Sequence, residues 1–331
     1  MWKKNIMGLA VLAACAGLVV ACGGGGGGGG GGNQNNNYPT LNSASFADAA
    51  LGEFVTSAPN SVLPTDASCA VKINAAKKSE NRADNALYNA TLGKALPNFF
   101  NGSLAHANTV ISAHISGNFT GTTEDILRWG ACKWGLDENV VKAMAANESQ
   151  WQQAHRFNAT NLPAAQAAAS AVGNTLTYHP STTCATNTMP GGSVNIPRAL
   201  PAPLPVAQPQ GTGAASANCS RDWGILQLNY EQHPSAWPEA EDSTAMNVDV
   251  ALAMVRACYD GDETWLGDKN HPLPAGGTAY AAGNLSYCVG RYNSGLWYDA
   301  NAVTYINRIN AELTSKSWTL PAFQNKAWVY P

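Results

Sequence analysis

Glu148, near the end of a predicted helix, is the strongest candidate for chemistry in this sequence of 331 residues. Val141, Met144 and Ala145 recur at helical spacing, and Glu148 falls on the same inward face. Partial burial and the negative end of the helix dipole both disfavour a negative charge there, so we expect a raised pKa for this carboxyl. A raised pKa suits a general acid at neutral pH. The alternative is a glutamate that pairs with an arginine or lies at the rim of a groove.

Two further observations limit the chemistry that the sequence predicts. Ser149 follows Glu148 directly, but no GxSxG motif and no histidine-and-acid pattern accompany it. A structural contact is therefore a better interpretation of Ser149 than a nucleophile. The chain contains no CxxC pair and no HExxH motif, and its six histidines are scattered. We expect neither a metal ion nor a cofactor.

The elements that must position Glu148 are predicted to be mainly helical. Thr123 and Asp137 are suitable N-caps for two successive helices, the second of which carries Glu148. A hairpin is the only strand structure that the sequence suggests. The predicted helices span residues 123–134, 138–152, 242–259, 278–290 and 302–313, with several short helices over 66–117 and the hairpin over 222–229.

The composition excludes one class of partner and marks one unusual segment. Charged residues make up only 12% of the chain, and the formal net charge is −3. Proteins that bind nucleic acid need many Lys and Arg side chains to neutralise phosphates, so we expect no nucleic-acid partner. Residues 160–218 are rich in proline and alanine and contain one charged side chain, Arg198. From about residue 177 onward this composition predicts a long loop.

The N-terminus has the layout of an export signal. A basic start precedes an apolar stretch, residues 6–20, that is short for a membrane span. The next cysteine, Cys22, ends a segment that resembles a bacterial lipoprotein signal, in which the cysteine is lipidated; an ordinary cleaved signal or an uncleaved anchor is the alternative. The polyglycine run 23–32 predicts a flexible tether. The resemblance to lipoproteins implies an exported protein, anchored by lipid to the outer membrane and facing the periplasm, because Gly23 rather than an aspartate follows the cysteine.

The cysteine count predicts disulfides. Of eight cysteines, Cys15 leaves with the signal and Cys22 takes the lipid, and an even number remains for an oxidising compartment. Six cysteines allow fifteen pairings. We favour pairs between successive cysteines, because one pair would close the loop 160–218 and another would join two neighbouring helices. The favoured pairs are Cys69–Cys132, Cys184–Cys219 and Cys258–Cys288.

Five short blocks follow one another in an order that resembles the SLT-type lytic transglycosylases of the lysozyme-like superfamily. The helix that ends in Glu148 and Ser149 is similar to the catalytic helix of that family. Leu226 stands where the family has methionine, which is a mild apolar exchange. The interval from Glu148 to Gln227 is far longer than the usual loop of the family, which marks residues 160–218 as an insertion. The blocks are WGLD and KAMAANES within 134–149, GILQLN at 224–229, NV at 247–248, YNSG at 292–295 and YINRI at 305–309.

The resemblance implies that Glu148 is the catalytic acid and then the base, and that peptidoglycan glycan strands are the substrate. By position, Gln227 would contact the sugar or the groove backbone, and Tyr292 would hydrogen-bond Glu148. The alternatives are a turn residue for Gln227 and a buried tyrosine with a satisfied hydroxyl for Tyr292. The positions assigned to substrate binding are Ser149, Gln227, Tyr292 and Asn293. The candidate sugar-stacking surfaces are Trp151, Trp223 and Tyr292.

The segment around Asp222 adds a second resemblance. Residues 220–229 are similar to the animal-type lysozyme segment in which an aspartate is the second catalytic carboxylate. Asp222 is therefore a candidate second carboxylate, with a loop-capping aspartate as the alternative. Three functions stay open: a lytic transglycosylase that leaves 1,6-anhydroMurNAc ends, a lysozyme-like hydrolase that uses Glu148 and Asp222, and a non-catalytic peptidoglycan-binding lipoprotein.

The predicted organisation follows from these segments. The fold class is mainly α, with a lysozyme-like fold, a long Pro/Ala-rich insertion and a small helical N-terminal extension. No particular protein partner is predicted. The predicted segments are a lipoprotein signal at 1–21, a lipidated tether at 22–60, the helical extension at 61–122 and the lysozyme-like domain at 123–331 with its insertion at 160–218.

Overall fold

The computed structural model is mainly helical, as predicted. It describes residues 54–100, 104–153, 156–157, 222–229, 232–267, 279–297, 299–321 and 323. The predicted signal, the lipid site at Cys22, the insertion 160–218 and the pair Cys184–Cys219 lie outside these residues. The helices are α1 (Asp66–Ala75), α2 (Ala86–Asn89), α3 (Thr123–Trp134), α4 (Glu138–Ser149), α5 (Glu239–Asp242), α6 (Thr244–Asp260), α7 (Leu285–Ser294) and α8 (Ala300–Ser315), and the strands are β1 (Arg156–Phe157), β2 (Asp222–Trp223) and β3 (Leu228–Asn229).

Local capping explains the ends of the two helices around the candidate site. Helix α3 is capped one residue earlier than predicted, because the hydroxyl of Thr122 accepts a hydrogen bond from the Asp125 amide at 3.2 Å. Asp137 caps α4 as predicted and accepts hydrogen bonds from two backbone amides of its first turn. Helix α4 ends at Ser149 rather than at residue 152, because Gln150 adopts a left-handed conformation with φ of 54°.

Capping residues also set the boundaries of the later helices. Helix α6 begins after its N-cap Ser243 and ends before Gly261, close to the predicted range 242–259. Helix α7 begins later than predicted, where the side chain of Asn284 accepts a hydrogen bond from the backbone, and it continues to Ser294. Helix α8 is longer than predicted, since Asp299 supplies an N-cap for it. The predicted N-cap is confirmed for α4, whose first residues are followed by regularly spaced apolar side chains.

Helix α6 forms the centre of the core. All of its 17 residues are buried, and it packs against α3, α5 and α7. Helix α4 packs between α3 and α8, and α1 covers α3. The inward side chains predicted for the last helix, Ile306, Ile309 and Leu313, are buried. Most side chains of α6 are apolar, on nearly every side of the helix, which suits a helix that is surrounded by others.

Two of the three favoured disulfides are confirmed. Cys69–Cys132 joins α1 to α3, with an S–S distance of 2.01 Å. Cys258–Cys288 joins α6 to α7, the two neighbouring helices for which the pairing was favoured. The first bond lies before Glu148 in the sequence and the second lies after it.

A small antiparallel sheet follows α4. Strands β2 and β3 form the predicted hairpin, with Asp222 opposite Asn229 and Trp223 opposite Leu228. Strand β1 adds to its edge, with Arg156 opposite Trp223, and was not predicted. A strand of two residues is too short to show alternation, so only its neighbour in space reveals it.

The chain is held against the helices before the end of the predicted tether. The Arg256 guanidinium donates to the Ala58 carbonyl at 2.8 Å, and the Asn60 amide donates to Asp260 at 2.7 Å. Residues 54–60 therefore pack on α6 and do not belong to a free tether. Among the described residues, no helix is both long and apolar enough to cross a membrane.

Candidate functional site

Glu148 lies at the one accessible end of a buried helix. Of the 12 residues of α4, all are buried except Asn147 and Glu148, which are half-buried. Gln150, the next exposed residue, already belongs to the left-handed turn after the helix. The helix therefore presents a carboxyl group to the surface at its last turn, with Asn147 beside it.

Two buried tyrosines stand behind this carboxyl group. Tyr305 on α8 is fully buried, and its pKa is raised well above the ordinary value, first by burial and then by the charge of Glu148. The pKa of Tyr292 on α7 is raised in the same direction, first by burial and then by the charges of Glu148 and Asp222. Both phenols remain neutral in the physiological range and can act as hydrogen-bond donors.

Tyr292 does not have the partner that was expected. Its hydroxyl donates to the carbonyl oxygen of Leu226 at 2.5 Å, so its single hydrogen is used on the hairpin turn. The charge of Glu148 also acts on Tyr305, whose hydroxyl has no hydrogen-bond partner within the described residues. Within the described structure, Tyr292 thus matches the alternative interpretation, a buried tyrosine with a satisfied hydroxyl.

The hairpin turn, residues 224–227, is buried and is held by side chains from three directions. The Ser149 hydroxyl donates to the Ile225 carbonyl at 2.8 Å, and the Ile225 amide donates to the Gln153 side chain at 3.1 Å. The Leu226 amide donates to the Asn247 side chain at 2.9 Å. Because buried backbone groups need partners, these contacts fix the turn against α4 and α6.

Glycine is required at the start of this turn. Gly224 has a φ of 82°, and a Cβ atom there would lie 2.2 Å from the Asn247 side-chain nitrogen. That nitrogen donates to the Trp223 carbonyl at 3.0 Å. A side chain at position 224 would both strain the backbone and displace the amide that holds the hairpin.

Asp222 is a buried carboxyl at the base of the hairpin. It is 3% exposed and accepts a hydrogen bond from the Asn229 side chain across the β2–β3 pair at 2.9 Å. Its charge and that of Glu148 both act on the Tyr292 hydroxyl. The fold therefore brings the two candidate carboxylates within electrostatic range of one tyrosine, although they are far apart in sequence.

The remaining predicted groove residues serve the framework of the site. Ser149 is buried and makes the structural contact with Ile225 that the sequence favoured. Gln227 is a turn residue with a φ of 51°, and its side chain donates to the Gly224 carbonyl at 2.7 Å, which is a contact with the backbone of the turn. Asn293 is buried, and its Oδ1 has no hydrogen-bond partner in the described part of the chain.

The expected sugar-stacking surfaces are wrong. Trp151 is fully buried, lies nearly parallel to Trp318 and meets Phe323 edge-on at 5.4 Å. Trp223 is 7% exposed and Tyr292 is 4% exposed. None of the three offers an open ring face. An aromatic residue near a candidate site has the same sequence signature in a core as in a groove, so only the packing separates the two.

Sequence reasoning missed three residues that build this site. Gln153 contacts the hairpin, and Asn85 contacts Gln153 from the N-terminal region. Asn247 belongs to one of the quoted blocks, so the sequence marked it as important but did not show that its side chain holds the hairpin. No pattern in the sequence pointed to Gln153 or to Asn85.

The described residues contain no group of three or more His, Cys, Asp or Glu side chains placed to hold a metal ion. Comparisons of the chain with protein-family models, with curated proteins and with solved structures find no match. The function must therefore be argued from the residues and their geometry.

Proposed function

We propose that the protein is a peptidoglycan lytic transglycosylase with a lysozyme-like domain, and that Glu148 is its acid and base. The observation that carries the proposal is the position of Glu148 on a buried helix whose other side chains, apart from Asn147, are withdrawn from solvent. A buried tyrosine backs this carboxyl, and the buried hairpin turn 224–227 stands beside it. The ordered blocks that resemble the SLT-type family supply the substrate class.

The proposed reaction uses one carboxyl group twice. Glu148 protonates the oxygen of the β-1,4 bond between MurNAc and GlcNAc, and positive charge develops at the MurNAc anomeric carbon as the bond breaks. The resulting carboxylate removes the proton from the 6-hydroxyl of the same MurNAc. The 6-oxygen then bonds to the anomeric carbon, which leaves a 1,6-anhydro end and consumes no water. An intramolecular nucleophile is already close, which explains why one carboxylate is sufficient.

Tyr305 and the hairpin supply orientation in this scheme. The charge of Glu148 acts on the buried Tyr305 hydroxyl, and in the proposed reaction this hydroxyl donates a hydrogen bond to the carboxylate in the step where that group carries its charge. Ser149 fastens the end of α4 to the hairpin turn at 2.8 Å. The proposed enzyme is exported and carried by a lipid at Cys22, and its tether lets the domain reach glycan strands.

A second candidate function rests on Asp222. Its carboxyl group is buried, hydrogen-bonded to Asn229 and close enough to the Tyr292 hydroxyl to act on it together with Glu148. In a hydrolase, such a carboxylate would stabilise or attack the anomeric carbon while Glu148 serves as the acid. The same pair of residues therefore supports a lysozyme-like hydrolysis with water as the final acceptor.

One digestion experiment tests both functions. Purified peptidoglycan is incubated with the full-length protein, with Glu148→Gln, and with Glu312→Gln as a matched control on α8, and the released fragments are weighed by mass spectrometry. Ends lighter by one water support the transglycosylase, and reducing ends support the hydrolase. We expect Glu148→Gln to lower release by about 10²–10⁴-fold and Glu312→Gln to leave it unchanged. Release that survives in Glu148→Gln, or no release by the wild type, would contradict both functions.

A further inference from the structure

The segment that follows Glu148 has an unfavourable backbone conformation that needs external support. Gln150 and Trp151 both adopt left-handed φ values, 54° and 62°. Non-glycine residues in this region are uncommon, and each such residue costs of the order of 1–3 kcal/mol unless its surroundings favour it. Trp151 is held by its buried ring and by the hydrogen bond from its indole to the Lys142 carbonyl at 2.9 Å. The backbone beyond it requires another partner.

That partner is Asn85, from the turn Ala83–Asn85 that precedes α2. Its side-chain nitrogen donates to the Trp151 carbonyl at 2.6 Å, and its side-chain oxygen accepts from the Gln153 amide at 2.8 Å. One amide group therefore spans the turn at residues 151–153. Asn85 is fully buried and also donates to the Thr123 hydroxyl at 3.1 Å, at the start of α3. A buried, almost fully satisfied amide of this kind holds its neighbours in one geometry.

Gln153 carries this constraint to the hairpin. Its side-chain oxygen accepts from the Ile225 amide at 3.1 Å, and its side-chain nitrogen donates to the Ala240 and Glu241 carbonyls. The Ile225 carbonyl in turn accepts from Ser149, the neighbour of Glu148. The contacts form a closed path from Asn85 through Gln153 and Ile225 back to the end of α4.

We propose that Asn85 is a positioning residue for the reaction, and that it acts through Gln153 on the relative placement of Glu148 and the hairpin turn. It touches neither Glu148 nor, in the proposed mechanism, the substrate. This proposal deepens the function proposed above and rests on it. It also gives the N-terminal extension a role, because residues 80–89 then belong to the support of the site.

Asn89 offers a matched control for the test. Its side chain donates to the same Thr123 hydroxyl at 2.9 Å and to Glu80 at 2.9 Å, and it is 3% exposed. It makes no described contact with residues 151–153. Asn85→Ala and Asn89→Ala therefore remove similar buried amides from the same network, and only the first releases the turn after Glu148.

The experiment measures kcat and KM on soluble glycan strands for both variants, corrected for the folded fraction. We expect Asn85→Ala to lower kcat by about 10–100-fold, since a displacement of about 1 Å can have that effect, while KM changes little. Asn89→Ala is expected to lose comparable thermal stability and to retain kcat. Equal kcat values in the two variants would overturn the proposal, because Asn85 would then contribute stability alone.

Hydrogen exchange on the same proteins separates this proposal from the proposed function. Asn85→Ala should accelerate amide exchange at residues 151–153 and 224–227, and Asn89→Ala should not. If the wild type fails to cleave peptidoglycan, the proposed function is wrong, and the exchange data still decide whether Asn85 orders both segments. Unchanged exchange at residues 224–227 in Asn85→Ala would show that Asn85 does not reach the hairpin, and the positioning role would be rejected.

Discussion

Two buried polar regions of the molecule are built from different chemistry. The first, the framework junction, consists of Lys133, Asp66, Asp249 and Ser116, where α1, α3 and α6 meet. The second is the hairpin turn 224–227 beside Glu148. The framework junction is held by full charges, whereas the turn is held by neutral amides and hydroxyls. The comparison indicates which part of the fold provides stability and which part provides orientation.

The framework junction surrounds one buried ammonium group. Lys133 lies 2.7 Å from Asp66 and 2.7 Å from Asp249, and its side chain is fully buried. Asp249 also accepts hydrogen bonds from the Trp134 indole at 2.7 Å and from the Ser116 and Gly117 amides. A carboxylate with this many donors is satisfied in its charged form. The disulfide Cys69–Cys132 closes the same junction covalently.

The hairpin turn uses weaker but more directional groups. Ser149, Gln153, Asn247 and Tyr292 each make a hydrogen bond to its backbone, and none of them carries a charge there. Neutral hydrogen bonds contribute about 0.5–1.5 kcal/mol each, which is modest for stability. They add no full charge beside Glu148 and Asp222, so the turn can be fixed in place without a strong field on the candidate acid. Full charges occur instead in the framework junction, where the structure needs rigidity alone.

The largest expected effect is on the framework junction. Lys133→Met leaves the buried carboxylate of Asp249 and the partly buried carboxylate of Asp66 without their cation, and we expect the free energy of unfolding to fall by about 3–5 kcal/mol. Activity per folded molecule should be unchanged, since Lys133 makes no described contact with the hairpin turn. Urea unfolding and kcat on peptidoglycan are the two measurements.

A matched control for this variant is Lys94→Met. Lys94 pairs with Glu239 at 2.7 Å, but both side chains are partly exposed, so the expected loss is no more than about 1 kcal/mol. A large fall in kcat for Lys133→Met with little loss of stability would contradict the division between the two regions.

An intermediate effect is expected at the site itself. Tyr305→Phe removes the buried hydroxyl on which the charge of Glu148 acts. In the proposed reaction this hydroxyl donates to the Glu148 carboxylate, and a hydrogen bond to a charged group contributes about 1.5–3 kcal/mol, so we expect kcat to fall by roughly 10–100-fold while the melting temperature changes little. Tyr292→Phe should behave differently, because its hydroxyl supports the Leu226 carbonyl and its loss affects the hairpin. If Tyr305→Phe and Tyr292→Phe change kcat and the melting temperature equally, the two tyrosines do not have different roles.

The smallest effect concerns acid sensitivity of the framework junction. His114 lies edge-on against Trp134 at 5.1 Å, and burial, followed by the charge of Lys133, lowers its pKa from the usual 6.5. Below about pH 6.5 the unfolded chain binds a proton that the folded chain excludes, so the free energy of unfolding falls as the pH drops through this value. The slope from one such group is at most about 1.4 kcal/mol per pH unit.

His114→Gln should flatten this part of the pH dependence, which unfolding curves measured between pH 5 and 7.5 can detect. If the free energy of unfolding depends on pH with the same slope in the variant and in the wild type, His114 does not cause the acid sensitivity. The kcat of the variant at neutral pH should match that of the wild type, because His114 interacts with the charges of the framework junction and not with the hairpin turn.

Several features of the fold were predictable because they depend on neighbours in the chain. Asp137 caps α4 through hydrogen bonds within its first turn, as predicted, and α3 ends at the predicted residue 134 because Gly135 takes a left-handed conformation directly after it. The end of α4 was wrong by three residues, since Gln150 and Trp151 take left-handed conformations that a distant residue supports. The residue spacing typical of a helix continues in the sequence through residue 152, but tertiary contacts end the helix at Ser149.

The site shows the same division. The sequence placed Glu148 on the inward face of a helix near its end, and the structure finds it half-buried there. Tyr292 was expected to hydrogen-bond Glu148, but its hydroxyl donates to the Leu226 carbonyl, a partner that the sequence around Tyr292 does not indicate. The tryptophan at position 151 was placed in the groove for the same reason and belongs to the core.

The sequence alone predicted the mainly helical class, the helix that carries Glu148 and the hairpin 222–229, and it favoured three cysteine pairs, of which two are present among the described residues. The helices and the hairpin depend on periodicity, capping and turn residues, which are properties of short segments. Packing between distant segments was needed to show that Trp151 is buried, that the charge of Glu148 acts on Tyr305 and that Asn85 holds the turn at residues 151–153. Asn85 and Gln153 are separated by 68 positions, and hydrogen bonds over such an interval leave no spacing in the sequence, because any fold that brings the two together would satisfy them equally well.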